Sequence, residues 1–185
     1  MAAVRLIPLI SSLEIMDEIM NNYKTLKLME AFAECTKHSQ RMLSAQKKVS
    51  DIFPLDVNKY LILNDDEIEH IDQMVYRFSK LQDSIGERLF KSLLMFLEED
   101  VQNKPFLDVL NRLEQLEILP SKDEWLKLRK VRNELSHEYS NEDEENVTLL
   151  NMLFDEIKTI NNIFLSLKNY FDLHIRKRID DKSVQ

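Results

Sequence analysis

Residues 132–139 read Arg-Asn-Glu-Leu-Ser-His-Glu-Tyr and carry the side chains of this chain that are best suited to chemistry. Arg132, His137 and Tyr139 place a guanidinium, an imidazole and a phenol within about two helical turns. A guanidinium binds phosphate through paired hydrogen bonds, and an imidazole exchanges protons near neutral pH. The spacing therefore predicts acid–base chemistry on an anionic substrate.

The guanidinium and the imidazole do not share one face of an ideal helix. At about 100° per residue, Arg132 falls in the apolar sector of Trp125 and Leu128, whereas His137 lies about 140° away from it. Either the helix ends near His137 and the ring is re-aimed, or a second chain completes the site. Arg132 must reach solvent or meet a carboxylate, because an unpaired buried guanidinium is unfavourable. Asn133, four residues before His137, is expected to orient the imidazole.

Other kinds of site lack the residues they need. The histidines, His38, His70, His137 and His174, are scattered along the chain, so we expect no metal site. A single glycine excludes the glycine-rich loops that bind nucleotide phosphates, and no Gly-x-Ser-x-Gly elbow is present. Nothing near Cys35 in the sequence would activate a thiol, and we expect it to be buried on a helix face. No cofactor is predicted.

The charge of the chain restricts how it could bind nucleic acid. A net charge of −8 disfavours a broad electrostatic affinity for phosphate. Beside the motif, however, Lys127, Arg129 and Lys130 join Arg132 in a local basic cluster. These three are the candidate RNA-binding residues, and the alternative is that they form a solvated helix face.

The composition predicts an all-α fold. The chain has 185 residues with one Gly, four Pro and 31% charged residues, which leaves few turns and many helix formers. This length suits a single domain with its own core. Pro8 interrupts the short apolar run near the N-terminus, so we expect neither a cleavable signal nor a membrane span, and a cytoplasmic location is the default.

The first half of the chain predicts two long helices. The first occupies residues ~12–50, and Pro54 prevents its continuation. Asn64 with Glu67 forms a capping box that opens the second. Gly86 lies inside this second helix and predicts the close approach of a neighbouring helix.

The second half predicts three further helices. A short helix starts at Pro105, and Ser121 caps the helix that carries the motif to about Tyr139. The last helix covers residues ~142–178 and is capped by Asn141.

Apolar stripes on the long helices predict how they pack. Residues on each stripe recur every three or four positions, which is typical of helices packed against a core. We therefore predict an antiparallel, up-and-down bundle of about five helices. The predicted stripes are Leu28, Phe32, Cys35, Met42 and Val49 on the first helix; Ile68, Ile71, Val75, Phe78, Ile85, Leu89, Leu93 and Phe96 on the second; and Leu150, Leu153, Ile157, Ile160, Phe164, Leu167 and Phe171 on the last.

The pattern Arg-Asn-x-x-x-His-x-Tyr on a helix near the final third of an all-α chain resembles the signature of the HEPN superfamily, especially the HepT-type toxins and the related nucleotidyltransferase-associated proteins. The segment from Trp125 to Tyr139 is similar to the motif helix of that family in its pattern of apolar, basic and polar residues. The resemblance covers residues ~20–172. It divides the chain into an N-terminal extension (1–19), a HEPN-like helical domain (20–178) and a C-terminal tail (179–185).

The resemblance implies a metal-independent ribonuclease that forms a homodimer, with the two motifs facing each other across a cleft. By position, His137 would be the acid–base group, Arg132 the phosphate clamp and Asn133 a positioning residue. Tyr139 matches the residue that the cognate nucleotidyltransferase of such a toxin modifies with AMP. The alternative from the same resemblance is a non-catalytic, nucleotidyltransferase-binding subunit or antitoxin component. A third possibility is an unrelated helical bundle in which the three side chains are structural.

Overall fold

The structure, a computed structural model, describes residues 12–99, 103–136, 142–176 and 179. All regular secondary structure in these residues is helical, which confirms the predicted fold class. None of the described helices is both long enough and apolar enough to cross a membrane. The α-helices are α1 (Ser12–Val49), α2 (Val57–Leu61), α3 (Asp65–Asp83), α4 (Phe90–Phe96), α5 (Phe106–Gln115), α6 (Lys122–Ser136) and α7 (Asp143–Tyr170), with π-helical segments at Ser84–Leu89, between α3 and α4, and at Phe171–Ile175, after α7.

Helix boundaries in the first half follow the predicted signals. α1 ends at Val49, and it runs without interruption through residues 19 and 20, where the predicted domain boundary falls. The predicted capping box opens α3: Asn64 Oδ1 accepts from the Glu67 backbone N–H at 3.0 Å, and Glu67 Oε2 accepts from the Asn64 N–H at 3.0 Å. Both capping bonds stabilise the first turn of α3.

α1 and the continuous α3–α4 rod pack antiparallel. Near the end of α1, Lys48 Nζ lies 2.7 Å from His70 Nε2, close to the start of α3. Further back along α1, Glu34 pairs with Arg88 of the π-helical segment at 2.6 Å. The end of α1 therefore lies beside the start of α3, and an earlier part of α1 lies beside the π-helical segment that follows α3.

α7 packs against α1 in the same antiparallel sense. Gln46 Nε2 donates to the Phe154 carbonyl at 3.0 Å, and Ser39 Oγ donates to Asn161 Oδ1 at 2.8 Å. α1 therefore runs antiparallel to both the α3–α4 rod and α7, as neighbouring helices do in the predicted up-and-down bundle.

The core lies between these helices and contains most of the predicted stripes. Every residue predicted for α1 and for the last helix is buried. On the second helix, Ile68 is 43% exposed, so its assignment to the core was wrong. The Lys48–His70 contact shows the reason: α1 ends at that level, and the first turn of α3 extends beyond it. Val75 and Phe96 are only partly buried, at the edge of the core.

Two predicted helix starts are displaced by one residue. Pro105 is the N-cap of α5 instead of its first helical residue, because its extended backbone (ψ 145°) cannot continue into the helix. Its carbonyl nevertheless accepts from Asp108 N–H at 2.9 Å and so begins the hydrogen-bond ladder. The last helix begins at Asp143 with Glu142 in the cap position, whereas the predicted cap, Asn141, lies outside the described residues.

Candidate functional site

The motif helix α6 is held by its apolar side. At its start, the Glu124 backbone N–H donates to Ser121 Oγ at 3.2 Å, which confirms the cap predicted for Ser121. Trp125, Leu128 and Val131 are almost completely buried. Because these three side chains fix the rotation of the helix, they also fix where Arg132 emerges.

Gly86 lets α6 approach the α3–α4 rod closely. A Cβ atom at Gly86 would lie 3.0 Å from Cζ2 of Trp125 and 3.6 Å from Cζ of Phe106. The indole also packs edge-on against Phe90, with ring centroids 4.7 Å apart. This confirms the close approach predicted from the glycine. Gly86 lies in the π-helical segment Ser84–Leu89, a type of distortion that occurs often near functional sites.

Arg132 meets a carboxylate, which is one of the two possibilities left open by its apolar sector. Its Nη2 lies 3.0 Å from both carboxylate oxygens of Asp83, the last residue of α3. Its Nη1 donates to Oδ1 of Asn133 at 3.4 Å. The Arg132 and Asp83 side chains are 31% and 25% exposed. The guanidinium is therefore oriented by a fixed charge and still accessible from solvent.

Arg132 lies on the wall of an open cleft of about 250 Å³ between α6, α5 and the α3–α4 rod. We call it the Arg132 cleft. Arg129 stands over the ring of Phe106, 5.2 Å from its centroid, in a cation–π contact. Cationic side chains outnumber anionic ones in the lining, so that an anionic group entering the cleft meets several N–H donors. The lining residues are Gln82, Asp83, Gly86, Glu87, Lys91, Phe106, Arg129, Arg132 and Asn133.

The three predicted RNA-binding cations have different surroundings. Arg129 lines the cleft. Lys127 instead forms a short ion pair with Glu156 of α7, and the hydrogen bond to that carboxylate raises the pKa of Lys127. Lys130 is largely exposed and lies 3.8 Å from Glu134. Of the three, Arg129 is therefore the cation placed to contact a ligand in the cleft.

His137 and Tyr139 lie outside the described residues. The description of α6 ends at Ser136, directly before the imidazole of the motif. The structure accordingly gives the position of Arg132 and Asn133, and the convergence of His137 with them stays a prediction.

Asp83 and Lys91 are cleft residues that the sequence did not indicate. Neither belongs to a recognisable motif. The signal that could have pointed to Asp83 is its position three residues before Gly86, because residues three apart share a helix face and Gly86 marks the face that meets another helix.

Other reactive groups of the described residues do not form a site. Cys35 is fully buried, as predicted, and desolvation raises the pKa of its thiol to about 12, which removes the thiolate needed for nucleophilic attack. His38 lies near Arg77 and Glu34, and burial lowers its pKa. Within the part of the chain that the structure describes, no three His, Cys, Asp or Glu residues are grouped to hold a metal ion.

Comparisons of this chain with protein-family models, with curated proteins and with solved structures found no match.

Proposed function

We propose that this protein is a HEPN-type ribonuclease, the toxin of a bacterial toxin–antitoxin pair, and that it cleaves RNA without a metal ion. The observation that carries the proposal is the guanidinium of Arg132, which Asp83 and Asn133 orient on the wall of a solvent-open cleft. The motif places His137 five residues further along the chain. Together the two side chains provide a phosphate-binding cation and a proton-transfer group.

The proposed reaction is an attack of the ribose 2′-oxygen on the adjacent phosphorus. His137 takes the 2′-hydroxyl proton as the new oxygen–phosphorus bond forms. The bond from phosphorus to the 5′-oxygen breaks, and a proton returned by the imidazole neutralises that leaving oxygen. Arg132 stabilises the charge that develops on the non-bridging oxygens. The balanced products are a 2′,3′-cyclic phosphate and a 5′-hydroxyl, and no oxidant, metal or cofactor is required.

The charge distribution fits local capture of RNA. A net charge of −8 disfavours a broad electrostatic affinity for a polyanion. Arg129 and Lys91 line the same cleft as Arg132. Phosphate would be bound at this one place and its binding should weaken with added salt.

The proposal is tested by incubating a labelled RNA with purified protein in excess EDTA. Wild type should cleave it, and His137→Ala should reduce the rate by about 10²–10⁴-fold, the usual contribution of general acid–base catalysis. His70→Ala is the matched control, since that imidazole lies near Lys48, far along the rod from the cleft. Undiminished cleavage by His137→Ala would remove the mechanism.

Regulation belongs to the same proposal. Tyr139 is the acceptor for AMP transferred by a cognate nucleotidyltransferase, with the tyrosine oxygen attacking the α-phosphorus of ATP and pyrophosphate leaving. The added phosphate and nucleoside would block a neighbouring anion site by charge and bulk. Incubation with such a transferase and ATP should abolish RNA cleavage by wild type, whereas Tyr139→Phe should still cleave RNA after the same treatment. Equal inactivation of Tyr139→Phe would contradict this regulation.

A second function is favoured by the Asp83–Arg132 ion pair itself. A carboxylate already bound to the clamp competes with phosphate, which suits a non-catalytic subunit that docks on a nucleotidyltransferase. In that case the protein should co-purify with the transferase, and wild type should neither cleave RNA nor arrest growth on expression. Growth arrest by wild type that is absent in His137→Ala would exclude this second function.

A further inference from the structure

Gln82 is a buried polar residue on the wall of the Arg132 cleft. Only 5% of this residue is exposed, and it is one of the residues that line the cleft. Among the described residues, none forms a hydrogen bond with its side-chain amide. A buried amide without a protein partner is unfavourable. Its oxygen and its two N–H groups are therefore available to a molecule that enters the cleft.

The amide of Gln82 lies at the end of the cleft that holds the clamp. Gln82 directly precedes Asp83, whose carboxylate lies 3.0 Å from the guanidinium of Arg132. It also shares a side of the rod with Gly86, which follows four residues later. The amide and the guanidinium therefore meet at one end of the cleft, and the part beside Gly86 lies about one helical turn away.

The part of the cleft beside Gly86 carries a stacking surface. A Cβ atom at Gly86 would lie 3.6 Å from Cζ of Phe106, so the ring reaches the same wall as Gln82. Arg129 covers this ring, 5.2 Å from its centroid, and is itself exposed. Nucleobases stack on aromatic rings and on the planes of arginine guanidinium groups. An unpaired base therefore finds a stacking surface within reach of the amide.

This combination of groups fits a nucleotide better than a simple anion. Inorganic phosphate would use the cations of the cleft and would leave the amide of Gln82 without a partner. The edge of a nucleobase presents hydrogen-bond donors and acceptors, and a glutamine amide offers an acceptor and donors that match them. A nucleotide therefore uses the clamp, the stacking surface and the amide together.

The dimensions of the cleft suit one unpaired nucleotide. Its volume is about 250 Å³, whereas clefts that hold drug-sized ligands measure about 300–1,000 Å³. In duplex RNA the base edges pair with each other, and side chains cannot enter the narrow major groove. The base must therefore be unpaired to reach Gln82.

We propose that the Arg132 cleft contains a subsite for one unpaired RNA base. The amide of Gln82 binds the edge of that base, and the face of the base stacks on Arg129 and Phe106. Arg132 holds the phosphate of the same nucleotide. This inference rests on the proposed function, because it takes RNA to be the ligand of the cleft, and it adds that binding depends on the base beside the phosphate.

The first test compares nucleotide binding by wild type and Gln82→Met, measured by calorimetry. Methionine is close to glutamine in length and flexibility but lacks the amide. The ligands are the four ribonucleoside monophosphates, with phosphate on the 3′- or the 5′-oxygen, and ribose 5-phosphate as the probe without a base. Wild type should bind at least one nucleotide about tenfold more tightly than ribose 5-phosphate, and Gln82→Met should lose most of this difference.

Gln73→Met is the matched control. Gln73 is exposed on α3, about two and a half turns before Gln82, and its replacement should leave nucleotide binding unchanged. Urea unfolding separates a binding role of Gln82 from a structural one. Gln82→Met should keep or raise the urea midpoint, because it removes a buried polar group that has no protein partner. A lowered midpoint together with lost binding would assign the amide to the fold and overturn the proposal.

The stacking surface is tested with Phe106→Leu. This variant should bind nucleotides about tenfold more weakly, since stacking of a base on an aromatic ring is lost. Its affinity for ribose 5-phosphate should stay close to that of wild type, because the cations of the cleft remain. Equal weakening for both kinds of ligand would contradict stacking of a base at this place.

Two further results would overturn the subsite. Wild type could bind nucleotides no more tightly than ribose 5-phosphate, or Gln82→Met could bind them as tightly as wild type. RNA cleavage is measured separately. A wild type that shows base-dependent binding but cleaves no RNA would remove the ribonuclease and keep the subsite. A wild type that cleaves RNA without base-dependent binding would remove the subsite and keep the ribonuclease.

Discussion

At the scale of single residues, the account depends on how Arg132 is held. The sequence shows that Arg132 could bind phosphate, because it carries a guanidinium. It also shows that this charged group falls among apolar positions, because helical spacing places it in the sector of Trp125 and Leu128.

The sequence does not show the partner of Arg132, since Asp83 is 49 positions away and any exposed carboxylate could have met the guanidinium. Asn133 accepts a hydrogen bond from Arg132, and its role in orienting His137 stays a prediction.

Removing Asp83 should misplace the guanidinium. We expect Asp83→Ala to lower the free energy of unfolding by about 1–2 kcal/mol, as for a partly buried charged hydrogen bond, and to lower kcat about tenfold through loss of positioning. Asp83→Asn keeps an acceptor and should recover part of kcat.

Denaturant titrations and steady-state cleavage rates measure both effects. Glu134→Ala, which removes the exposed contact with Lys130, is the control and should change stability by less than about 0.5 kcal/mol. Equal kcat for Asp83→Ala and wild type would show that the carboxylate does not position the clamp.

Gly86 should not tolerate a side chain while Trp125 is present. The added Cβ would lie 3.0 Å from the indole, and Phe90 limits the movement of the ring. We expect Gly86→Ala to lower the free energy of unfolding by about 1–2 kcal/mol, because overpacking outweighs the roughly 1 kcal/mol gained in helix propensity.

A double-mutant cycle with Trp125→Phe tests that cause. The alanine should be less harmful in the protein that carries Trp125→Phe, since the smaller ring vacates the contact. Circular dichroism during urea unfolding gives the four free energies. A stabilising Gly86→Ala in the wild-type background would contradict the argument.

At the scale of elements, helix starts with side-chain signals were predictable and irregular helices were not. The cap at Asn64 and the start at Ser121 depend on neighbours in sequence, so local spacing was enough. The π-helical segment Ser84–Leu89 was missed. Its core residues Ile85 and Leu89 are four apart, a spacing that also fits an ordinary α-helix, so the periodicity of the sequence does not reveal the wider π turn.

The cap of α3 should matter as a local interaction. Asn64→Ala removes the acceptor of the Glu67 N–H and should lower the free energy of unfolding by about 1 kcal/mol. Asn64→Asp, whose carboxylate caps equally well, should be near wild type. Thermal melts of both proteins check this, and equal losses for the two variants would mean that the capping bond is not the cause.

At the scale of the whole molecule, composition and stripes determined the fold class, whereas the site required assembly. One glycine and regular stripes suffice to predict a helical bundle, because each stripe must be buried. The cleft joins α6, Phe106 of α5 and the α3–α4 rod. The residues that line the cleft come from separate segments of the chain. The sequence therefore indicated Arg132 and Arg129 as candidate site residues but did not predict which side chains surround them.

The apolar residues at the start of α1 show the same limit. The predicted stripe from Leu28 onward was confirmed by burial. The apolar residues that precede Leu28 are of the same types and recur at similar spacing, yet they are exposed: Ile15, Met16, Ile19, Met20, Tyr23 and Leu26. Only the arrangement of the helices shows that these residues point outward and those of the predicted stripe from Leu28 onward point into the core.

The central claim is that Arg132 acts on phosphate in this cleft. The measurement that tests it most directly is the single-turnover rate of RNA cleavage in EDTA for wild type and Arg132→Ala, with folding of the variant verified by circular dichroism. We predict cleavage by wild type and a loss of about 10²–10³-fold in the variant, as for removal of one transition-state donor. A folded Arg132→Ala protein that cleaves as fast as wild type, or a wild type that cleaves no RNA, would contradict the account.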